Sequence, residues 1–310
     1  MRLRGILTDL PRKGYFDMKK TIFTGAGVAI ITPMFEDGSV NYDKLGELIE
    51  EQITEGTDSI IICGTTGEAS TLSDEEHIEC IKYTINKVGG RVPVIAGTGS
   101  NDTEYAKWMS IEAEKAGADG LLLVTPYYNK TSQKGMVAHF VTVADAVDIP
   151  IILYNVPSRT GCRIEIATYK ELAKHPNIVA AKEASGDISL VAQLAAETDL
   201  DIYSGNDDQT VAVMSLGGKG VISVASNIIP RVMHEITDSA LKGDFKKAAE
   251  LQLKYLELMN GLFCDVNPIP VKEAMNLMGK KVGECRLPLV RMEADKVEKW
   301  KAVLGKYGLV

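Results

Sequence analysis

The sequence predicts an α/β fold, a (β/α)₈ barrel with a C-terminal helical appendage, and three observations carry that expectation. Eight short apolar runs recur from residue 25 onward, separated by segments of helical length. The runs are continuously apolar instead of alternating, as strands of a parallel sheet buried on both faces must be. Beyond the eighth run the pattern is helical only.

In chain order the expected strands are 26–33 (AGVAIITP), 59–64 (SIIICG), 92–98 (VPVIAGT), 120–126 (GLLLVTP), 150–156 (PIILYNV), 178–184 (IVAAKEA), 201–205 (DIYSG) and 220–225 (GVISVA). Gly, Pro, Asp, Asn, Ser or Thr marks most of the joins. Helix-length connections between parallel strands suit right-handed crossovers, and a closed barrel follows naturally. Segment Ser73–Val88 opens S-D-E-E, with Ser73 as N-cap and Glu76 three residues later, a capping-box pattern. Asp102–Ala116 and Ile188–Thr198 read as helices of the same kind. After the last strand, helices are expected at about Pro230–Leu241, Phe245–Leu262, Pro270–Met278 and Ala294–Leu304.

The expected division is a flexible N-terminal extension at 1–20, in which Met18 is a candidate natural start, a barrel at 21–242 and a helical region at 243–310. An open doubly wound sheet is the alternative, but it would carry a glycine-rich nucleotide fingerprint after its first strand. Gly25-Ala26-Gly27-Val28-Ala29-Ile30 fails that pattern at its last position.

Composition removes several function classes. A chain of 310 residues with 45% hydrophobic and 25% charged residues suits one large barrel core. Its net charge of −8, with no basic run, opposes the phosphate attraction on which nucleic-acid binding depends. No apolar run approaches the roughly 20 residues that span a bilayer. The first residues carry Arg2, Arg4, Arg12 and Lys13 but no apolar signal-peptide stretch. Cys63, Cys80, Cys162, Cys264 and Cys285 are widely spaced without a C-x-x-C pair, so reduced and mostly buried thiols in a cytosolic protein are expected.

In a barrel the chemistry collects at the C-terminal ends of the strands. Five expected ends carry polar residues there: Gly64-Thr65-Thr66-Gly67-Glu68, Thr125-Pro126-Tyr127-Tyr128-Asn129, the Tyr154–Gly161 stretch YNVPSRTG, Lys182-Glu183-Ala184 and Gly205-Asn206-Asp207. Lys182 interrupts the apolar run Ile178–Ala181, where an unpaired ammonium is costly to bury. Desolvation lowers a lysine pKa and frees the amine as a nucleophile toward a carbonyl. A plain ion pair with Glu183 fits the same sequence.

Tyr154 ends the preceding strand and offers a phenol that both donates and accepts protons, or simply packs with its hydroxyl satisfied by backbone. Thr65 and Thr66 lie between glycines in a loop able to hold a small carboxylate, or in an ordinary turn. Arg159 follows a proline-fixed turn and can clamp a second carboxylate, although loop arginines are common. His77, His139, His175 and His234 fall in expected helices or at their ends without ligand spacing, so no catalytic metal is expected. Cys63 and Cys162 have no neighbouring histidine and read as packing residues.

Taken in order, GTTGE, TPYYNK, YNVPSRTG, AAKEASG, SGNDD, GVISV and NPIPVK resemble the dihydrodipicolinate synthase family, over nearly the whole chain from about residue 22. The resemblance implies that Lys182 forms a Schiff base with pyruvate and that Thr66, Tyr154 and Tyr128 relay protons. It further implies that Thr65 and Thr66 hold the pyruvate carboxylate, that Arg159 holds that of aspartate semialdehyde, and that Gly205 and Ile222 line the pocket. The product would be 4-hydroxy-tetrahydrodipicolinate, on the way to lysine, made without an external cofactor.

In the family the tyrosine at the Tyr128 position comes from a neighbouring subunit, and tetramers are built from tight dimers. A sibling aldolase such as N-acetylneuraminate lyase would need a pocket for a polyol, which Arg159 disfavours. A non-catalytic barrel would have no reason to keep Lys182, Tyr154, Thr66 and Tyr128 together. In lysine-inhibited members an interface site holds free lysine. His77, Asn101 and Tyr127 agree with that pattern, whereas Ala69, Asp74 and Tyr105 depart from it, so weak or absent inhibition by lysine is expected.

Overall fold

The structure is a computed structural model that describes Lys19 and residues 21–310; the expected N-terminal extension lies almost wholly outside the described residues. Eight strands form a closed, all-parallel barrel in sequential order. They are β1 (Gly25–Ala29), β2 (Ser59–Ile62), β3 (Val94–Gly97), β4 (Gly120–Val124), β5 (Ile151–Asn155), β6 (Ile178–Glu183), β7 (Asp201–Ser204) and β8 (Gly220–Ser223). Each expected strand is found, and each ends earlier than its apolar run. The residues after Val124, Asn155 and Ser223 leave the ladder to build the loops at the barrel mouth.

Closure depends on a close approach of backbones. β1 pairs with β8 through Gly25 and Gly220, and a Cβ on Gly220, at φ +156°, would lie 1.8 Å from the Gly25 carbonyl oxygen. Glycine is therefore required there. Inside the barrel, Ala29, Ile61, Ile95, Leu122, Ile152, Tyr203 and Ile222 belong to one interior cluster drawn from seven strands. At the N-terminal end Phe23 stacks on Tyr203 with ring centroids 4.4 Å apart, and the Tyr203 hydroxyl donates to the Phe23 carbonyl at 2.6 Å. That end is plugged, so the open end is the one carrying the polar strand ends.

The helices between strands bury one face against the barrel. The helix Asp74–Val88 has the expected reciprocal cap, with the Ser73 hydroxyl accepting from Glu76 N and the Glu76 carboxylate accepting from Ser73 N. Thr103–Ala116 is capped by Asp102, and Ile188–Glu197 by Asp187. The expected helix at 245–262 is two, Phe245–Lys254 and Leu256–Gly261, broken at Tyr255. The segment after β5, read as a loop, contains a one-turn helix, Pro157–Thr160, started by the preset φ of Pro157.

The C-terminal helices do not stand apart from the barrel. Helix Ile269–Leu277 brings Lys272 against Glu68 at 2.6 Å, with side chains 2% and 1% exposed. Glu68 also accepts from Arg286 N at 2.9 Å, and Trp300 Nε1 donates to the Pro270 carbonyl at 2.9 Å. No helix among the described residues is long and apolar enough to cross a membrane. All five cysteines are free, with Cys63 and Cys80 buried, Cys162 and Cys285 half-buried, and Cys264 exposed, so burial holds for fewer of them than expected.

Candidate active site

A cavity of about 350 Å³ opens at the C-terminal end of the barrel, lined by Thr65, Thr66, Tyr154, Arg159, Lys182 and Gly205 among others. Six of the eight expected site residues are thus brought together from five separate loops and strands. Ile222 is fully buried in the interior cluster, and Tyr128 is not among the cavity-lining residues but is 90% exposed, at a φ of +66°.

Lys182 and Tyr154 are register partners on β6 and β5, and the Lys182 Nζ lies 4.2 Å from the centre of the Tyr154 ring. Burial pulls the Lys182 pKa down to about 8; the Asp207 carboxylate opposes this and the Arg159 guanidinium assists it. The ion pair with Glu183 does not form, because adjacent strand residues face opposite sides of the sheet. Glu183 points outward and accepts from Asn155 Nδ2 at 2.9 Å, Tyr169 Oη at 3.0 Å and Ser185 N at 2.8 Å. A buried amine without a bound carboxylate is poised to react as the free base.

Burial raises the Tyr154 pKa, opposed by the Arg159 charge and by the influence of the Thr65 hydroxyl. Its phenol therefore holds a proton that it can lend. Of the two threonines, Thr65 is the one whose hydroxyl acts on Tyr154. The buried Thr66 instead accepts from Asn267 Nδ2 at 3.0 Å through its Oγ1. Arg159, on the turn after β5, donates from Nη2 to the Asn267 carbonyl at 3.2 Å. A Cβ on Gly205 would come 2.6 Å from the Ala184 Cβ and 3.2 Å from the Lys182 Cε, so only glycine leaves the lysine room to swing.

Asp207 sits fully buried close by; its Oδ2 accepts from Ala225 N at 2.9 Å and Val224 N at 3.2 Å. Burial pushes its carboxyl up, while those donors and the Lys182 charge pull it down. Residues given no individual role from sequence also line the cavity: Ser158, Asn206, Phe263, Asp265, Val266 and Asn267. The last four precede the NPIPVK helix or begin it, and nothing in their local pattern places them over a barrel mouth built by residues from Thr65 to Asn206. The four histidines are elsewhere, for example His77 against the Gly97 carbonyl at 2.8 Å. Among the described residues no cluster of His, Cys, Asp and Glu is arranged to hold a metal ion.

The chain is 60% identical over 292 residues to a 4-hydroxy-tetrahydrodipicolinate synthase of Thermoanaerobacter sp., covering 93% of this chain and 98% of that one. It superposes on the crystal structure of dihydrodipicolinate synthase from Aquifex aeolicus with a TM-score of 0.91 at 46% identity, over 93% and 99% of the two chains. A chloride-inhibited dihydrodipicolinate synthase from Acinetobacter baumannii, complexed with pyruvate, gives a TM-score of 0.91 at 44% identity over 94% and 100%. Residues 22–307 match the family described as Dihydrodipicolinate synthetase, and with a closed barrel, an unpaired buried lysine at its mouth and these relatives, the chain belongs to the dihydrodipicolinate synthetase family.

Proposed function

We propose that this chain is a 4-hydroxy-tetrahydrodipicolinate synthase, a Schiff-base lyase that condenses pyruvate with L-aspartate 4-semialdehyde in diaminopimelate and lysine biosynthesis. The observation that carries the reading is the Lys182 amine, buried without an ion-pair partner, in one cavity with Tyr154, the threonine loop and Arg159.

The chemistry follows from these groups. Lys182 Nζ adds to the pyruvate carbonyl carbon, and the carbinolamine loses water to give an iminium. That cation accepts the electron pair released when a methyl proton leaves, giving an enamine. Enamine carbon attacks the aldehyde carbon, whose oxygen gains a proton and becomes the ring hydroxyl. The substrate amine then adds to the imine carbon and expels Lys182, closing the ring. The imine is the electron sink, so no external cofactor takes part.

Tyr154 is suited to carry the protons. The Thr65 hydroxyl, which acts on this phenol, supports Thr65 as a further member of the relay expected for Thr66, Tyr154 and Tyr128. Thr66 keeps the expected role of holding the pyruvate carboxylate. Arg159 holds the carboxylate of the semialdehyde, and Gly205 leaves space for Lys182. The outward, strained Tyr128 fits a residue supplied to a neighbouring subunit, which supports a homotetramer built from tight dimers. Five free cysteines suit a cytoplasmic setting. A coupled assay with pyruvate and aspartate semialdehyde tests the reading: turnover is expected with both substrates and with neither alone. Arg159→Ala should keep borohydride-trapped pyruvate while losing condensation; no turnover in the parent protein would overturn the assignment.

A further inference from the structure

Behind the reactive pair, on the face of β5 and β6 turned away from the cavity, stand two buried polar residues. Tyr154 is in register with Lys182, and the next pair along is Asn155 with Glu183. Strand alternation turns this second pair toward the helix layer, where Ile151, Leu153 and Ala181 of the same strands are buried and apolar. Asn155 is fully buried and Glu183 is 3% exposed.

The Glu183 carboxylate is the centre of a closed network, accepting from Asn155 Nδ2 at 2.9 and 3.1 Å, from the hydroxyl of the fully buried Tyr169 at 3.0 Å and from Ser185 N at 2.8 Å. Asn155 Oδ1 in turn accepts from Ile164 N at 3.1 Å. Arg163, beside Ile164, is engaged by Asp187 at 3.2 Å, so hydrogen bonds hold this carboxylate instead of an ion pair. An apolar pair here would need no desolvation. What a fully satisfied polar network adds is a single fixed arrangement.

We propose that Glu183 is a positioning residue, which through Asn155 and Tyr169 locks the ends of β5 and β6 so that the Tyr154 phenol and the Lys182 amine keep the spacing that proton transfer requires. The inference rests on the Schiff-base reading of the cavity. Both strands leave the ladder directly after this pair, β5 into the turn that carries Arg159 and β6 into Ala184 and Ser185. The network holds both exits, since Ile164 N ties the end of the Arg159 turn to Asn155 and Ser185 N ties the other exit to Glu183. A phenol that serves the carbinolamine must lie within hydrogen-bond reach, and a misplacement of about 1 Å costs on the order of 100-fold in rate. The charges that act on Lys182 are those of Asp207 and Arg159, so Glu183 works through geometry.

The test reads the rate of imine formation with pyruvate, sampled by rapid quench with borohydride across pH, beside thermal unfolding. Glu183→Gln keeps the size of the side chain but sets an amide donor among donors. It is expected to lower the maximal rate at least about tenfold, while half-saturating pyruvate and the inflection near pH 8 stay in place. Asn155→Asp added to Glu183→Gln reverses donor and acceptor across the two strands and should recover most of the lost rate. Tyr169→Phe removes one donor, leaves the strands bridged and should show a smaller loss in the same direction, which keeps the test open if Glu183→Gln does not fold.

An unchanged rate in folded Glu183→Gln or in Tyr169→Phe overturns the proposal. So does an exchange of donor and acceptor that restores thermal stability without restoring rate, because the network is then a structural tie alone. An inflection that moves at unchanged maximal rate also overturns it, as the mark of action through charge. A parent protein that forms no trapped adduct strikes the Schiff-base reading itself, whereas trapping in the parent with no loss in the variants strikes only the role of Glu183.

Discussion

Lys182 and Lys272 are both buried near the barrel mouth, one 6% and the other 2% exposed, yet their surroundings differ in kind. Lys272 meets the Glu68 carboxylate at 2.6 Å and also donates to the Glu284 carbonyl at 2.8 Å. Lys182 has an aromatic ring at 4.2 Å and a more distant carboxylate, Asp207. A paired buried ammonium is an anchor, here tying the C-terminal helices to the residue after the threonine loop. An unpaired one has its pKa lowered by desolvation, so more of it is free amine and available for covalent chemistry. The same side chain thus serves structure or reaction according to whether a carboxylate lies within reach.

Removing the reactive lysine should have the largest effect. Lys182→Ala is expected to lose the borohydride-trapped pyruvate, one adduct per chain by mass, and roughly 10³-fold or more of condensation activity while remaining folded. Trapping undiminished in that variant would break the comparison, because another amine would then be the nucleophile.

The anchoring lysine should instead show its loss in stability. Lys272→Met leaves the Glu68 charge buried without its ammonium partner, at a cost of about 3–5 kcal/mol in denaturant unfolding. Adding Glu68→Gln should recover part of that loss, since neither partner is then charged. The double variant should still trap pyruvate. If Lys272→Met is as stable as its parent, the ion pair is not what fastens this region.

The carboxylate near Lys182 sharpens the contrast further. Because Asp207 favours the ammonium, the Lys182 pKa of about 8 should fall in Asp207→Asn. The rate of pyruvate trapping rises with pH as the free amine appears, so its inflection should stand near 8 in the parent and move to lower pH in the variant. A profile that stays in place or moves upward would remove Asp207 from this role.

The smallest effect concerns a lysine arriving from solution, which also needs a carboxylate. At the positions where lysine-inhibited relatives are expected to hold it, Asp74 Oδ1 already accepts from the Tyr105 hydroxyl at 2.7 Å. Free lysine is therefore expected to inhibit weakly or not at all. Half-inhibition in a titration below about 1 mM, roughly −4 kcal/mol of binding, is the result that contradicts this.

By itself the sequence determined the eight strands, the capped helix after Ser73 and the residue types at the strand ends. These are local properties: apolar runs specify buried parallel strands, and a Ser with a Glu three residues on specifies a helix start. It also pointed to Lys182, because a charge inside an apolar run is visible without knowing its neighbours. Partnership was decided only by the tertiary structure, because contacts across the fold leave no periodic trace. The alternation of strand faces turned Glu183 away from Lys182, the pairing of β5 with β6 set Tyr154 beside it, and the return of the C-terminal chain laid Asn267 on Thr66 and Lys272 on Glu68. Those last contacts join residues about 200 positions apart, and no sequence spacing announces which of two threonines will meet the tyrosine or which of two buried lysines will find a carboxylate.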